Sequence, residues 1–191
     1  MTRLLRHFAV VGLLLITAFN SALAMDEPEI DHELLEKLRA AVGSADSFED
    51  RYEAEVWLLD KATSLESFIA DQDKRIALLK LIHAEATLAG LDPNMVLAVI
   101  EVESRFDPYA VSYAGAQGMM QVMPFWKNEL GRADDNLINT ATNLRYGCTI
   151  LKYYLDMEKG NMTEALARYN GSYGKYWYPS LVFDAWERNW R

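Results

Sequence analysis

Cysteine occurs once, at Cys148, so no disulfide can form within the chain and stability has to come from packing. Histidine occurs three times, at the scattered positions His7, His32 and His83. With no paired histidines and no cysteine cluster, transition-metal chemistry lacks a ligand set, and neither a metal nor a cofactor is expected. The small-residue stretch 112-SYAGAQG-118 is not followed by the Gly-Lys-Ser/Thr of a phosphate loop, which argues against nucleotide binding. Basic residues number 19 against 28 acidic ones, a net charge of −9, so nucleic acid would be repelled at long range and is excluded as a partner. Strand-like alternation is nearly absent as well.

What is present begins with an export-like segment. Residues 1–6 carry Arg3 and Arg6, residues 8–19 are apolar but too short to span a bilayer comfortably, and Ala22-Leu23-Ala24 has the small-x-small form of a cleavage site. Residues 1–24 read as a signal peptide, with an uncleaved inner-membrane anchor as the alternative. No cysteine follows the cleavage site, which argues against a lipoprotein. The expected location is the periplasm, or more broadly the cell envelope or exterior. The remainder carries 17 basic and 28 acidic residues, a net charge of −11. Any substrate must therefore be gripped by short-range contacts. A monomer is expected.

Helix-period patterns fill the rest. They predict helices near 29–42, 48–62, 73–89, 93–105, 117–130, 140–158, 163–170 and 179–190, an all-α protein. Asp92-Pro93 supplies an N-cap followed by proline at the first helical position, Thr163 can cap the helix 163–170, and Gly171 suits its exit. In 51–70, Val56, Trp57, Leu59, Leu65 and Phe68 suggest a face docked on the rest of the protein.

The stretch 99-VIEVESRFDP-108 poses the chemical question. At 100° per residue, Met95, Val96, Val99, Ile100 and Val102 share one apolar arc with Glu103 near its centre. Glu101 falls opposite, within reach of Arg105 at i, i+4, and reads as an ordinary solvated acid. A carboxyl on an apolar face resists ionisation, as a general acid at neutral pH must. The bland alternative is a helix end that opens to solvent or to a basic partner.

Two further segments carry polar groups in suggestive places. Met119, Met120 and Met123 read as core filler, and Gln121 among them needs a partner, either a sugar or a backbone carbonyl. In 167-ARYNGSYG-174, Tyr169 can donate to a carboxylate, and Asn170 can hold a ligand or end a helix. The aromatic tail 173–191 suits sugar stacking or packing; Phe183, Trp186 and Trp190 at i, i+3, i+7 favour a packing stripe.

Taken together, Glu103-Ser104, Gly118-Met119-Met120-Gln121 and Arg168-Tyr169-Asn170, with the ungapped text 106-FDPYAVSYAGAQGMMQVMP-124 between the first two, resemble the soluble lytic transglycosylase (SLT) family of bacterial cell-wall enzymes. The resemblance covers roughly residues 80–174. It implies a lysozyme-like helical catalytic domain over 81–191, with 25–80 as an additional N-terminal helical part. It also implies that Glu103 is the single catalytic acid/base. Ser112, Gln121, Met123, Tyr169 and Asn170 would line the glycan groove, and Ser104 would support it. The implied partner is the peptidoglycan glycan strand, with cell-envelope machinery as a possible recruiter. Four departures stand out: Asp107 for the usual Asn, Met119 for Leu, Arg168 for Ala, and Phe125-Trp126 for small polar residues. The last two bear on the shape of the groove. Asp107, the nearest second carboxyl, sits before proline and reads as a turn former. The resemblance implies non-hydrolytic cleavage between N-acetylmuramic acid and N-acetylglucosamine; the alternatives are a hydrolytic muramidase and a non-catalytic wall-binding scaffold.

Overall fold

A computed structural model describes residues 47–48 and 50–191. The signal segment, His7, His32 and the helix expected at 29–42 lie outside the described residues.

Most helix starts are explained by an acceptor side chain that satisfies an otherwise orphaned N–H; those at Trp126 and Trp177 have no such cap. Asp50 accepts from the N–H groups of Tyr52 and Glu53 and opens α1 (Arg51–Ser64), which runs into a 3-10 turn, Leu65–Ser67. Asp71 opens α2 (Gln72–Ala89), and Gly90, left-handed at φ 71°, ends it. Asp92 caps α3 (Pro93–Ser104), with Pro93 in the first turn as expected. A short α4 (Trp126–Leu130) follows a long loop, and Asn139 then caps α5 (Thr140–Met157). Helix α6 (Met162–Tyr169) is capped by Asn161 and not by Thr163, because the side-chain Oδ1 of Asn161 accepts from the Glu164 N–H. Helix α7 (Trp177–Ala185) passes into a π turn, Trp186–Trp190.

The helices bury a shared core. Helix α3 packs on α2, α7 and the π turn, while α5 packs on α2 and α6. Leu58, Leu79, Ile82, Leu97, Ile100, Leu144, Leu151 and Leu166 are fully buried. Each such side chain contributes about 1.5–3 kcal/mol of transfer free energy. Helix α1 docks through Ala54, Leu58, Ala62 and Leu65, with Trp57, Leu59 and Phe68 half-buried beside it. Of the face expected to dock, Val56 alone turns outward and is half exposed.

Two expectations fail here. The helix expected over 117–130 is reduced to its last turn and a half. Gly118 (φ 74°) and Gln121 (φ 49°) are left-handed, which a right-handed helix cannot accommodate. Residues 111–122 instead form a tight loop held by bridges from Gln117 to Val111 and to Val122. Helix α3, moreover, has no solvated face over most of its length: every residue from 95 to 101 is buried, including Glu101 at 7% exposure. The helical wheel took one acid as the mark of a wet face, but the neighbours of that acid come from the far end of the chain.

Candidate active site

Helix α3 stops abruptly. Arg105 and Phe106 are both left-handed (φ 52° and 65°), and Phe106 is driven into the core against Phe68 and Trp190. Two consecutive non-glycine residues in this conformation cost about 1–3 kcal/mol each, held by the surrounding packing. The reversal leaves Glu103 on the final turn, half-buried, where the apolar interior meets the surface.

The Glu103 carboxyl is an unusual acid. Burial pushes its pKa from 4.5 up to about 7, against the opposing effect of a hydrogen bond from Tyr178. The Tyr178 hydroxyl donates to Oε1 at 2.6 Å. Among the described residues no lysine or arginine pairs with this carboxyl. It is therefore a carboxyl that can both give and take a proton near neutral pH.

Tyr178 is fully buried, and burial raises its phenol well above 10, with the nearby Glu103 charge adding to the effect. It stays a neutral donor. In the sequence it is one of the aromatic tail 173–191, and nothing local distinguishes it from Tyr173 or Tyr176; its partner lies 75 residues away.

Tyr169 answers differently from its expected role. Its hydroxyl donates to the Met120 carbonyl at 2.7 Å, not to the acid. It is nevertheless close enough for the Glu103 charge to raise its phenol further beyond the effect of burial. Met120 is clasped at both ends, since its N–H donates to Asn143 Oδ1 at 2.7 Å. Asn143 Nδ2 donates to the carbonyls of Gln117 and Leu137, so one fully buried amide on α5 organises the loop 117–122. Gly118 is required beside it, because a Cβ there would lie 2.4 Å from the Asn143 side chain. Asn143 was missed for the same reason as Tyr178: only the fold brings it under the loop.

The remaining candidates fall as follows. Gln121 resolves towards backbone, its Nε2 donating to the carbonyls of Gly118 (2.8 Å) and Ala110 (3.1 Å). Ser112 Oγ accepts from the Ala116 N–H at 3.0 Å, and Ser104 Oγ donates to the Ile100 carbonyl at 3.3 Å. Met123 is half-buried, and Asn170 is exposed at the C-cap of α6 with Gly171 left-handed behind it. Asp107 Oδ1 accepts from the Tyr109 N–H at 2.9 Å, the turn contact expected of it.

Glu101 is the site's correction. It is bound on the opposite side of α3 by Trp190 Nε1 (2.7 Å), Asn189 Nδ2 (2.9 Å) and Arg188 (3.0 Å) and does not pair with Arg105. A cavity of about 300 Å³ beside it is lined by Val102, Leu181, Asp184 and Arg188 among others, and a second of about 390 Å³ lies along Tyr52, Val56 and Trp57 on α1. Neither includes Glu103.

Comparison with known proteins bears on this geometry. Residues 80–178 match the Transglycosylase SLT domain, a span that holds every candidate residue and ends on Tyr178. The membrane-bound lytic murein transglycosylase C of Glaesserella parasuis serovar 5 is 50% identical over 99 residues, covering 47% of this chain and 27% of that protein. The protein of the same name in Actinobacillus pleuropneumoniae serotype 5b is 52% identical over 46 residues, covering 24% and 13%. The aligned stretches thus span well under a third of these relatives. The X-ray structure of an inactive variant of lytic transglycosylase Slt from Pseudomonas aeruginosa aligns with 82% of this chain and 33% of that one, at 22% identity and a TM-score of 0.45.

Proposed function

Because the chain belongs to the transglycosylase SLT domain family, we propose that it is a peptidoglycan lytic transglycosylase with Glu103 as its single catalytic acid/base. The observation that carries this reading is the Glu103 carboxyl, raised to about 7 by burial and held by the Tyr178 hydroxyl with no cation beside it. The protonated carboxyl gives its proton to the oxygen linking N-acetylmuramic acid to N-acetylglucosamine. As the C1–O bond breaks, the acetamido carbonyl of the muramyl sugar shares the positive charge at C1. The Glu103 carboxylate then accepts the proton of that sugar's 6-hydroxyl while O6 bonds to C1, closing a 1,6-anhydro ring. No water is consumed, and Glu103 ends as it began. A second carboxyl, which most glycosidases need, has no place in this cycle, and Asp107 is spent on its turn.

Tyr178 offsets part of the rise in the Glu103 pKa and fixes the rotamer of that carboxyl. Tyr169 and Asn143 fix Met120 and with it the loop behind the acid. Met123 and Asn170, which reach the surface, are read as glycan contacts, while Ser104, Ser112 and Gln121 brace the wall through their backbone partners. Residues 1–24 are read as an export signal to the cell envelope, and the described stretch 50–80 as a helical brace on the catalytic part; among the described residues no helix is long and apolar enough to cross a membrane.

Mass spectrometry of digested sacculi tests the reading. Anhydromuramyl ends are expected, one water lighter than the hydrolytic product, and Glu103→Gln is expected to abolish them while preserving the circular dichroism spectrum. Reducing muramic ends alone would make the protein a muramidase. The scaffold alternative loses ground because Phe183, Trp186 and Trp190 pack against the core.

A further inference from the structure

Resting on the glycan-cleaving reading above, we infer that Trp177 is a stacking platform for an N-acetylhexosamine ring of the bound strand, one or two sugars from the bond that breaks.

Of the five tryptophans, Trp57, Trp126 and Trp186 are half-buried and Trp190 is fully buried. Trp177 alone is classed as exposed, at 54%. An indole left in water forgoes much of the largest apolar burial any side chain offers. Its location is informative. The indole meets the Tyr178 ring edge-on, with centroids 5.9 Å apart at 84°, and the Tyr178 hydroxyl reaches Glu103. One phenol ring and one hydrogen bond therefore separate the exposed indole from the reacting carboxyl, a reach comparable with one or two pyranose units. A bound strand that runs from Glu103 along the surface on the Trp177 side brings its next rings to the indole.

The loop that carries the indole is braced. Gly171 and Gly174 are both left-handed, which would leave 170–177 pliable if nothing held it. Arg168 lies on the Tyr173 ring, 3.7 Å from its centroid, and is itself paired with Glu158. The Tyr176 hydroxyl donates to Glu164 at 2.9 Å. Both tyrosines are anchored through one group while their rings remain about half exposed. Ordering the loop in advance lowers the entropic cost of binding. Arg168 is itself paired with Glu158, and the apolar face that the indole leaves in water suits the apolar face of a sugar ring. The Arg168 that departs from the family's usual alanine thereby acquires a role: it fixes the loop that presents the indole.

Binding can be measured without turnover. Tetra-N-acetylchitotetraose is titrated into the full chain carrying Glu103→Gln, followed by calorimetry. Adding Trp177→Ala is expected to weaken binding about tenfold or more, whereas adding Trp177→Tyr restores most of the affinity, with melting temperatures unchanged. Equal affinity for the Trp177→Ala chain overturns the platform, as does a loss that Trp177→Tyr fails to rescue. Absence of any tetrasaccharide binding by the Glu103→Gln parent overturns it too. Those results are separate from the sacculus digest: anhydromuramyl ends there uphold the catalytic reading even when the platform fails, and their absence defeats that reading whatever the titration shows.

Discussion

Glu103 owes its chemistry to a few ångströms of placement. One turn earlier on α3, at Val99 and Ile100, the side chain would enter the packed interior; two residues later the backbone has already reversed at Arg105. The proposed cycle starts from the protonated form of Glu103, so kcat/KM is expected to hold steady below pH about 7 and to fall tenfold per unit above it. The Tyr178 hydrogen bond favours the ionised carboxyl. Tyr178→Phe is accordingly expected to move that limb to higher pH while lowering kcat. A limb near 4.5 in the unmodified protein would show that burial does not set the acid. Of this residue-scale account, the apolar arc around Glu103 was legible in the chain, because helical spacing is local. The tyrosine that tempers it was not.

Elements decide what a helical wheel cannot. Helix α3 is a central helix, and its Glu101 is claimed by a π turn whose residues lie 87–89 positions further on. Three donors on one buried carboxylate lock the end of the chain to the helix that bears Glu103. Glu101→Ala would strand the Trp190 and Asn189 N–H groups and is expected to cost about 3–5 kcal/mol in urea unfolding. A loss below about 1 kcal/mol would mean that the turn is not tied there. The same scale explains the misread helix after Gly118. Methionines at helical spacing imitate an amphipathic helix, but Met120 is spaced by its own anchors, with Asn143 below and Tyr169 above. Gly147 confirms how close that loop lies on α5, since a Cβ there would come within 2.3 Å of Met120 Sδ.

For the whole molecule, two buried titrations oppose each other. Glu103 has a raised pKa, so its contribution to stability is fully present below about 4.5 and is lost as pH rises through about 7. His83, stacked on Phe48 at 3.6 Å, is lowered by burial from 6.5 to about 4. Its contribution is present above 6.5 and is lost as pH falls through about 4. Each is worth up to about 3 kcal/mol, less for the more accessible histidine. The two slopes run against each other over nearly the same range, so thermal stability is expected to change little between about pH 4.5 and 6.5. Glu103→Gln should leave a profile that rises with pH across this range, and His83→Gln one that falls. A profile unchanged by either variant would show that neither group is desolvated in solution.

The chain by itself determined the helix starts at Asp92 and Pro93, the all-helical character, the unusual setting of Glu103 and the ordered motifs that mark the family. These are properties of spacing, and spacing survives without a fold. Tertiary structure alone decided which donor meets Glu103, where Glu101 points, how Asn143 holds the loop and which tryptophan stays in water. Each of those depends on contacts between segments far apart in sequence, and only packing chooses them.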